Sequence, residues 1–246
     1  MMICMIGLAS ATNILTTNLS AYYRGENNFF DTINVHNSTS QANAYFNSTT
    51  VKLGSYAFDF KGNGFIDTGW YGNDVKSIDF WVQKRAASEM TVISNLDGTA
   101  EHGSEVLLQV TGPVHFIVII SGVVKSVIST SSITLNEWTH VTATWNTSSM
   151  DIYYNGLWEA RTAISGASYT PAVNNLVLGR RIPTTQYSNA LIDGVGLWNK
   201  TLTPAEVLLL NGTAGAGFDY PFLDASTLYK NISLTPSTGY FNTTLV

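Results

Sequence analysis

Retaining glycoside hydrolysis needs an acid and a nucleophilic carboxylate about 5 Å apart. The nearest carboxylate pair along the chain is Glu101 and Glu105 in AEHGSEV. The pair straddles a glycine-containing loop rather than alternate positions of one strand, so it reads as two solvated loop charges. The histidines are His36, His102, His115 and His140, and no two stand at the spacing of a metal pair. Neither HExxH nor GxSxG occurs, so zinc and serine hydrolysis both lack their parts. His140, between Thr139 and Val141, reads as a strand residue with a satisfied ring. Cys4 is the only cysteine, which excludes an intrachain disulfide, a cysteine zinc site and a redox pair.

Sugar recognition asks for different parts: an aromatic face against C–H groups and a few amide, carboxylate or arginine partners for hydroxyls. Loop positions supply candidates. They are Trp70 and Tyr71 in DTGWYGND, Asp97 and His102 in NLDGTAEHG, and Arg180, Arg181 and Tyr187 in GRRIPTTQY. Trp70 and Tyr71 are the best pair, because glycines flank them and no strand alternation demands their burial. Each candidate also has a plain reading as loop packing.

These loops must hang on a scaffold with an uncharged surface. Only 12% of residues are charged, about half the usual share, while Ser, Thr and Asn supply 73 of the 246 residues. Hydroxyls and amides therefore solvate the surface, which suits an extracellular, cell-surface or virion-surface protein. The net charge of −5 and the lack of any Lys/Arg run remove the electrostatic footprint that nucleic acid or an anionic membrane requires. The N-terminal MMICMIGLASA ends in a small-x-small pattern, so residues 1–18 read as a signal remnant or a first strand. That apolar run is too short to span a bilayer. Eight Asn-x-Ser/Thr sequons, at Asn18, Asn37, Asn47, Asn146, Asn199, Asn211, Asn231 and Asn242, exceed the roughly four that chance provides and fit a secreted glycoprotein.

Residues 19–222 show short apolar alternations broken by Gly, Asn, Asp and Ser, with no long 3.6-residue stripe. About a dozen strands follow, and only two facing sheets bury that many. The fold class is all-β, a two-sheet antiparallel jelly-roll sandwich. Gly62-Asn63-Gly64, Ser121-Gly122 and Asn155-Gly156 read as hairpin turns, the last of them type I′. Thr203-Pro204-Ala205-Glu206 predicts the capped start of one short helix, stopped at Asn211-Gly212. Residues 223–246 form a Thr/Ser/Asn-rich tail: a linker, a strand exchanged with a neighbour, or a frayed end. In NEWTHVTATWNTSSMDIYYNGLWEA, alternation makes most aromatics core and cross-strand pairs. Trp138 and Trp145 are assigned to stability, and Trp158 is left open.

The order of AYYRGENNFFD, YAFDFKGNGFIDTG, SIDFWVQ, EWTHVTATWN, MDIYYNGLWEA, NLVLGRR and ALIDGVGLWNKTLTPAEVLLLNGTAGAGFDYPF resembles the laminin G-like domains of the concanavalin A-like lectin/glucanase superfamily. The resemblance covers about 200 residues. It implies two curved sheets, ligands at a concave face or loop rim, and in many relatives a calcium ion near that rim. Asp31 and Asp193 match positions where relatives carry acidic residues near the metal, so calcium with these two ligands and backbone carbonyls is the implied cofactor. In the plain alternative Asp31 caps a turn and Asp193 ties the last strand to its neighbour. The Glu-x-Asp-x-x-Glu strand of the related glucanases is missing, which argues against an enzyme.

Two functions remain. One is a non-catalytic module that binds carbohydrate or glycoprotein. The other is a structural or adhesion module of a cell-surface layer, filament or viral fibre, self-assembling through sheet edges or the C-terminal tail.

Overall fold

The computed structural model describes residues 15–99, 101–165, 168–182 and 186–222, and the strands at 233–237 and 240–244. The N-terminal apolar segment with Cys4, and the Asn231 sequon, lie outside these residues. Two compact units form, residues 18–219 and residues 1–17 with 220–246.

In the larger unit the strands are β1 (Leu19–Tyr23), β2 (Ser40–Asn47), β3 (Ala57–Asp67), β4 (Ser77–Lys84), β5 (Met90–Ser94), β6 (Ser104–Leu108) and β7 (Val114–Ile120). They continue with β8 (Val123–Ile128), β9 (Trp138–Trp145), β10 (Ser149–Tyr154), β11 (Leu157–Ala163), β12 (Val177–Leu178) and β13 (Asn189–Trp198), followed by α1 (Pro204–Asn211). The hydrogen-bonded order is β11-β10-β9-β4-β13-β3-β12-β5-β6-β7-β8, with β1 on β13 and β2 on β3. Every one of these pairings is antiparallel. The ladder folds over at β12, so that β11 to β3 form a front layer and β5 to β8 a back layer. Phe58, Phe80, Val141 and Ile152 from the front meet Val106, Phe116 and Val118 from the back in one buried cluster. This is the expected two-sheet sandwich.

Period-two alternation decides which side chains enter that core. Val141, Ala143 and Trp145 of β9 do, with Trp145 only 6% exposed and its indole N–H donated to the Val75 carbonyl at 3.0 Å. His140, Thr142 and Thr144 lie on the opposite face, opposite Trp81, Asp79 and Ser77 of β4. Trp138 lies opposite Gln83. It therefore belongs to that polar face and is half-buried, a cross-strand partner where Trp145 is a core residue.

Gly62-Asn63-Gly64 is not a hairpin turn. It sits inside one long strand, β3, whose partner β2 slips register between Ala42 and Ala44. A Cβ on Gly64 would meet the Asn43 carbonyl oxygen at 2.3 Å, so the glycine serves a close backbone approach rather than a reversal. Asn155 and Gly156 do reverse the chain between β10 and β11, with φ of 47° and 80° as a type I′ turn needs. The helix starts as expected: the Thr203 N–H donates to Glu206 Oε2 at 2.8 Å, the Glu206 N–H donates back to Thr203 Oγ1 at 3.3 Å, and Pro204 opens the first turn.

In the smaller unit, β14 (Ser233–Ser237) and β15 (Tyr240–Thr244) pair antiparallel as a hairpin.

Candidate functional site

On the second face of the front layer, cross-strand register sets up rows of polar and aromatic groups. One row runs Trp158, Tyr153, Thr142, Asp79, and its neighbour pairs His140 with Trp81 and Trp81 with Asp193. Nearly all of it is hidden: Asp79 and Trp81 are each 3% exposed, and His140, Thr142 and Asp193 are at 0%. The cover is α1, the segment after it and the loop at 51–53. Lys52 Nζ stands 3.9 Å from the Trp81 ring centroid and donates to the Gly215 carbonyl at 2.5 Å. Tyr22 Oη donates to Asp219 at 3.0 Å, and Arg24 pairs with the same carboxylate.

Buried charge on this face is held by specific partners, as burial requires. Thr142 Oγ1 donates to Asp79, and His140 Nε2 lies 2.9 Å from Asp79 Oδ1 but off the hydrogen-bond line. His140 Nδ1 has no partner, so the ring is less satisfied than a plain strand histidine would be. Asp193 Oδ2 accepts the Lys52 and Leu53 N–H groups at 3.0 and 2.8 Å, while Oδ1 has no partner. Burial, only partly offset by those two N–H groups, pushes the Asp193 carboxyl up to about 8. Gly194 lets β13 bulge past this point: its φ is 57°, and a Cβ there would strike Leu53 at 2.4 Å.

Among the described residues, two openings in the cover stand out. The first is a pocket of about 490 Å³ between α1 and the sheet, lined among others by Lys52, Trp81, Trp138, Asn155 and Asn211. The second is the β11 margin, where Trp158 is 57% exposed. Its indole N–H donates to Asp151 Oδ1 at 3.0 Å, and Arg161 Nε donates to the same oxygen at 2.7 Å. Ser149 Oγ donates to the other oxygen at 2.8 Å. The carboxylate thus fixes the plane of an exposed indole and sets a guanidinium beside it.

The loop candidates fall into two other groups. At the rim, Asn95 Nδ2 donates to the Tyr71 carbonyl at 2.6 Å, which ties the Trp70-Tyr71 loop to the segment that carries Asp97 and His102. Tyr71 is 50% exposed. Trp70 is not free: it stacks on His36 with ring centroids 3.8 Å apart and packs against the core. His102 Nδ1 lies 2.6 Å from Asp97 Oδ2. At Asp97 burial opposes ionisation, yet hydrogen bonds from His102, the Glu101 N–H and Thr99 outweigh it and bring the carboxyl down to about 2.

Arg180, Arg181 and Tyr187 form the second group. The Arg180 guanidinium lies 4.1 Å from the Phe65 ring centroid and 5.8 Å from that of Tyr187. Arg181 pairs with Glu105. Glu105 is 0% exposed on β6 and receives Thr91 Oγ1 at 2.8 Å, so it is a buried ion-pair partner and not the solvated loop charge expected from sequence. Burial raises its carboxyl above the usual range against the pull of Arg181. Glu101 stays in the exposed loop, so the two glutamates form no acid–nucleophile pair on one strand.

The two residues assigned to calcium serve different loops. Asp31 is 2% exposed, and both its oxygens are filled by backbone N–H groups: Tyr22 and Ile33 on Oδ1 at 2.8 and 3.1 Å, Val35 and His36 on Oδ2 at 3.0 and 2.9 Å. A carboxylate saturated by N–H donors offers no lone pairs to a hard cation. Asp193 holds the loop at 52–53 instead. Among the described residues no group of three or more His, Cys, Asp or Glu is placed to hold a metal ion. The donor set does not fit a calcium ion shared by Asp31 and Asp193.

Sequence reasoning missed Trp138 as a site residue, although its even spacing from His140, Thr142 and Thr144 along β9 is the signal that places it on their face. Lys52 and Asn211 carried no signal, because only the fold brings them over β4 and β9. Asn211 heads a sequon but is 7% exposed, too buried to carry a glycan.

Comparison with known proteins agrees with this architecture. Residues 70–208, more than half of the chain, match the Laminin_G_3 family model, described as the concanavalin A-like lectin/glucanases superfamily. Among solved structures, domain 4 of an extracellular GH43 arabinanase from Geobacillus stearothermophilus, in complex with arabinotriose, aligns with a TM-score of 0.63 at 16% identity, covering 78% of this chain and 97% of that one. The binding domain of Paraclostridial mosquitocidal protein 1 aligns at 0.65 and 16% identity, over 80% and 52% of the two chains. The botulinum neurotoxin serotype G binding domain aligns at 0.59 and 17%, over 78% and 50%. The chain thus spans about half the length of these toxin domains. No curated protein matches by sequence.

Proposed function

The chain belongs to the concanavalin A-like lectin/glucanase superfamily, and from that premise we propose that it is a non-catalytic, extracellular glycan-binding module. The observation that carries this reading is Trp158, an exposed indole whose plane is set by Asp151 with Arg161 alongside. An immobilised aromatic face flanked by a charged donor is the equipment for a sugar ring, which presents C–H groups to the ring and hydroxyls to its edge. The arabinotriose complex of the arabinanase domain supports the reading by fold. So does the burial of Glu105 in an ion pair with Arg181, which takes it out of the role of acid or nucleophile beside Glu101.

A glycan array tests it. Wild type binds a subset of glycans, Trp158→Ala weakens that binding at least about tenfold, a loss of about 1.4 kcal/mol, and a calcium chelator leaves it unchanged. Absence of binding to every glycan sinks the proposal.

A self-assembling structural module is the second reading. It is favoured by β8, one end of the sheet order, where Val123, Val124 and Ile128 are 52%, 50% and 45% exposed. Sedimentation at rising concentration decides it: a species that stays monomeric rules it out.

A further inference from the structure

Trp158 and Arg161 stand at a spacing along β11 that puts side chains on opposite faces of a regular strand. Here they share a face. Arg161 lies opposite Asp151 and Ala160 opposite Ile152, but Trp158 rather than Glu159 lies opposite Tyr153, so Glu159 is an extra residue in the strand. A bulge of this kind re-aims the side chains beyond it. It brings the Trp158 indole N–H and Arg161 Nε onto one oxygen, Asp151 Oδ1, at 3.0 and 2.7 Å. The shared oxygen sets the guanidinium off the N–H edge of the indole, where the substituents of a stacked sugar ring project.

What this arrangement leaves for a ligand is all donor. The Arg161 side chain is 56% exposed, and among the described residues its bond is through Nε, so the terminal amino groups remain for a ligand. The groups that could accept a sugar hydroxyl's proton are hidden or turned away. The Asp151 side chain is 4% exposed, Ser149 is 8% exposed and Tyr153 3%. Glu159 is bound to the loop at 130–131, where its Oε1 accepts Thr130 Oγ1 at 2.6 Å. A hydroxyl needs an acceptor for its proton as well as a donor, whereas an ionised carboxylate only accepts. Its paired oxygens also match the forked N–H groups of a guanidinium, which a single hydroxyl does not.

We infer that the platform selects a carboxylate-bearing sugar, a hexuronate, whose ring stacks on Trp158 while its carboxylate accepts from the terminal amino groups of Arg161. The inference rests on the glycan-binding reading of the same site and adds the chemical class of the ligand. Asp151 already neutralises Arg161, so the preference comes from donor geometry rather than from net charge.

Calorimetry with the full chain tests it, using the hexuronate oligosaccharide that binds best on the array and the same oligosaccharide with its carboxylates reduced to primary alcohols. Wild type binds the acid at least about tenfold more tightly than the alcohol. Trp158→Ala weakens both, and Arg161→Gln brings the two to within about twofold by weakening the acid. An equal loss for both ligands in Arg161→Gln would make Arg161 only a support for Asp151 and overturn the inference. Arg161→Lys, which keeps a charge beside Asp151 without the fork, loses most of the preference, and if neither variant folds the wild-type ratio decides. A sulfate ester that binds more tightly than the carboxylate also overturns it. If wild type binds neutral glycans as tightly as the acid and Trp158→Ala abolishes that binding, the ligand class is wrong and the platform stands. If wild type binds no glycan, both fall together.

Discussion

The rim loops and the polar face beneath α1 carry the same kinds of groups, an aromatic, a carboxylate and a histidine, and use them in opposite ways. At the rim, Tyr71 is open and the Asp97–His102 pair closes a local turn, with partners only two to five residues away in sequence. On the polar face, Asp79, Asp193 and Asp151 bind across strands and loops. Asp193 reaches back 140 and 141 positions to Leu53 and Lys52. The local network stabilises a loop. The long-range one holds a cover over the sheet and fixes the openings in that cover. Exposure alone is therefore a poor guide to function here, because the groups that shape the accessible sites are the buried ones.

Stability separates the two regions most sharply. Asp193→Ala leaves the buried Leu53 N–H and the part-buried Lys52 N–H without their acceptor, and we expect a loss of about 1–3 kcal/mol in urea unfolding, the cost of the buried orphaned donor. Asp97→Ala at the rim should cost under about 1 kcal/mol, as for a pair at the surface. Equal losses would erase the contrast.

Binding comes next. Trp158→Ala should weaken glycan affinity at least about tenfold, and Tyr71→Ala by less than about twofold, read by calorimetry on the same glycan. The reverse order would move the site to the rim.

The pH responses have opposite signs. Asp193, with its carboxyl raised to about 8 in the folded chain, keeps a proton that the unfolded chain loses near 3.8. Its contribution is fully present below about 3.8 and is lost as pH rises through about 8. Asp193→Asn keeps an acceptor for both N–H groups and removes that loss. Denaturation midpoints of variant and wild type should then diverge in the variant's favour as pH rises from about 4 to about 8, and parallel curves would refute the assignment. Asp97, lowered to about 2, contributes stability that is present above about 3.8 and lost as pH falls through about 2. This smallest effect should appear in NMR as a carboxyl titration at about 2 that moves back toward 3.8 in His102→Ala.

Much of the scaffold is legible from residue patterns. The helix start needs only Thr203, Pro204 and Glu206, and the Asn155-Gly156 reversal only two residues that tolerate positive φ. Both are local, and local preferences survive into the fold when nothing opposes them. Gly62-Asn63-Gly64 has the same turn chemistry and does not reverse the chain, because β2 pairs with β3 on both sides of it, at Phe60 and Phe65, and the extra residues of β3 are taken up as a bulge opposite Asn43. Trp138 and Trp145 share a residue type and a strand, yet parity along β9 puts Trp138 on the face opposite to the core that Trp145 enters. Glu105 departs from expectation because a carboxylate in a Gly/Ser context looks solvated until Arg181, 76 positions away, arrives to pair with it.

By itself the sequence determined the all-β class, the antiparallel hairpins, the capped helix and the lack of a paired catalytic-carboxylate motif, since these follow from alternation, turn chemistry and motif spacing over a few residues. Only the tertiary structure decided which carboxylates are buried, which tryptophans are reachable, and that Asn211 ends over Trp138's face of the sheet with an unmet acceptor. The physical reason is that burial and pairing depend on what the chain folds back to cover. Here the bonds that hold the cover, Lys52 to Gly215 and Leu53 to Asp193, join residues 163 and 140 positions apart, far beyond the reach of any local pattern.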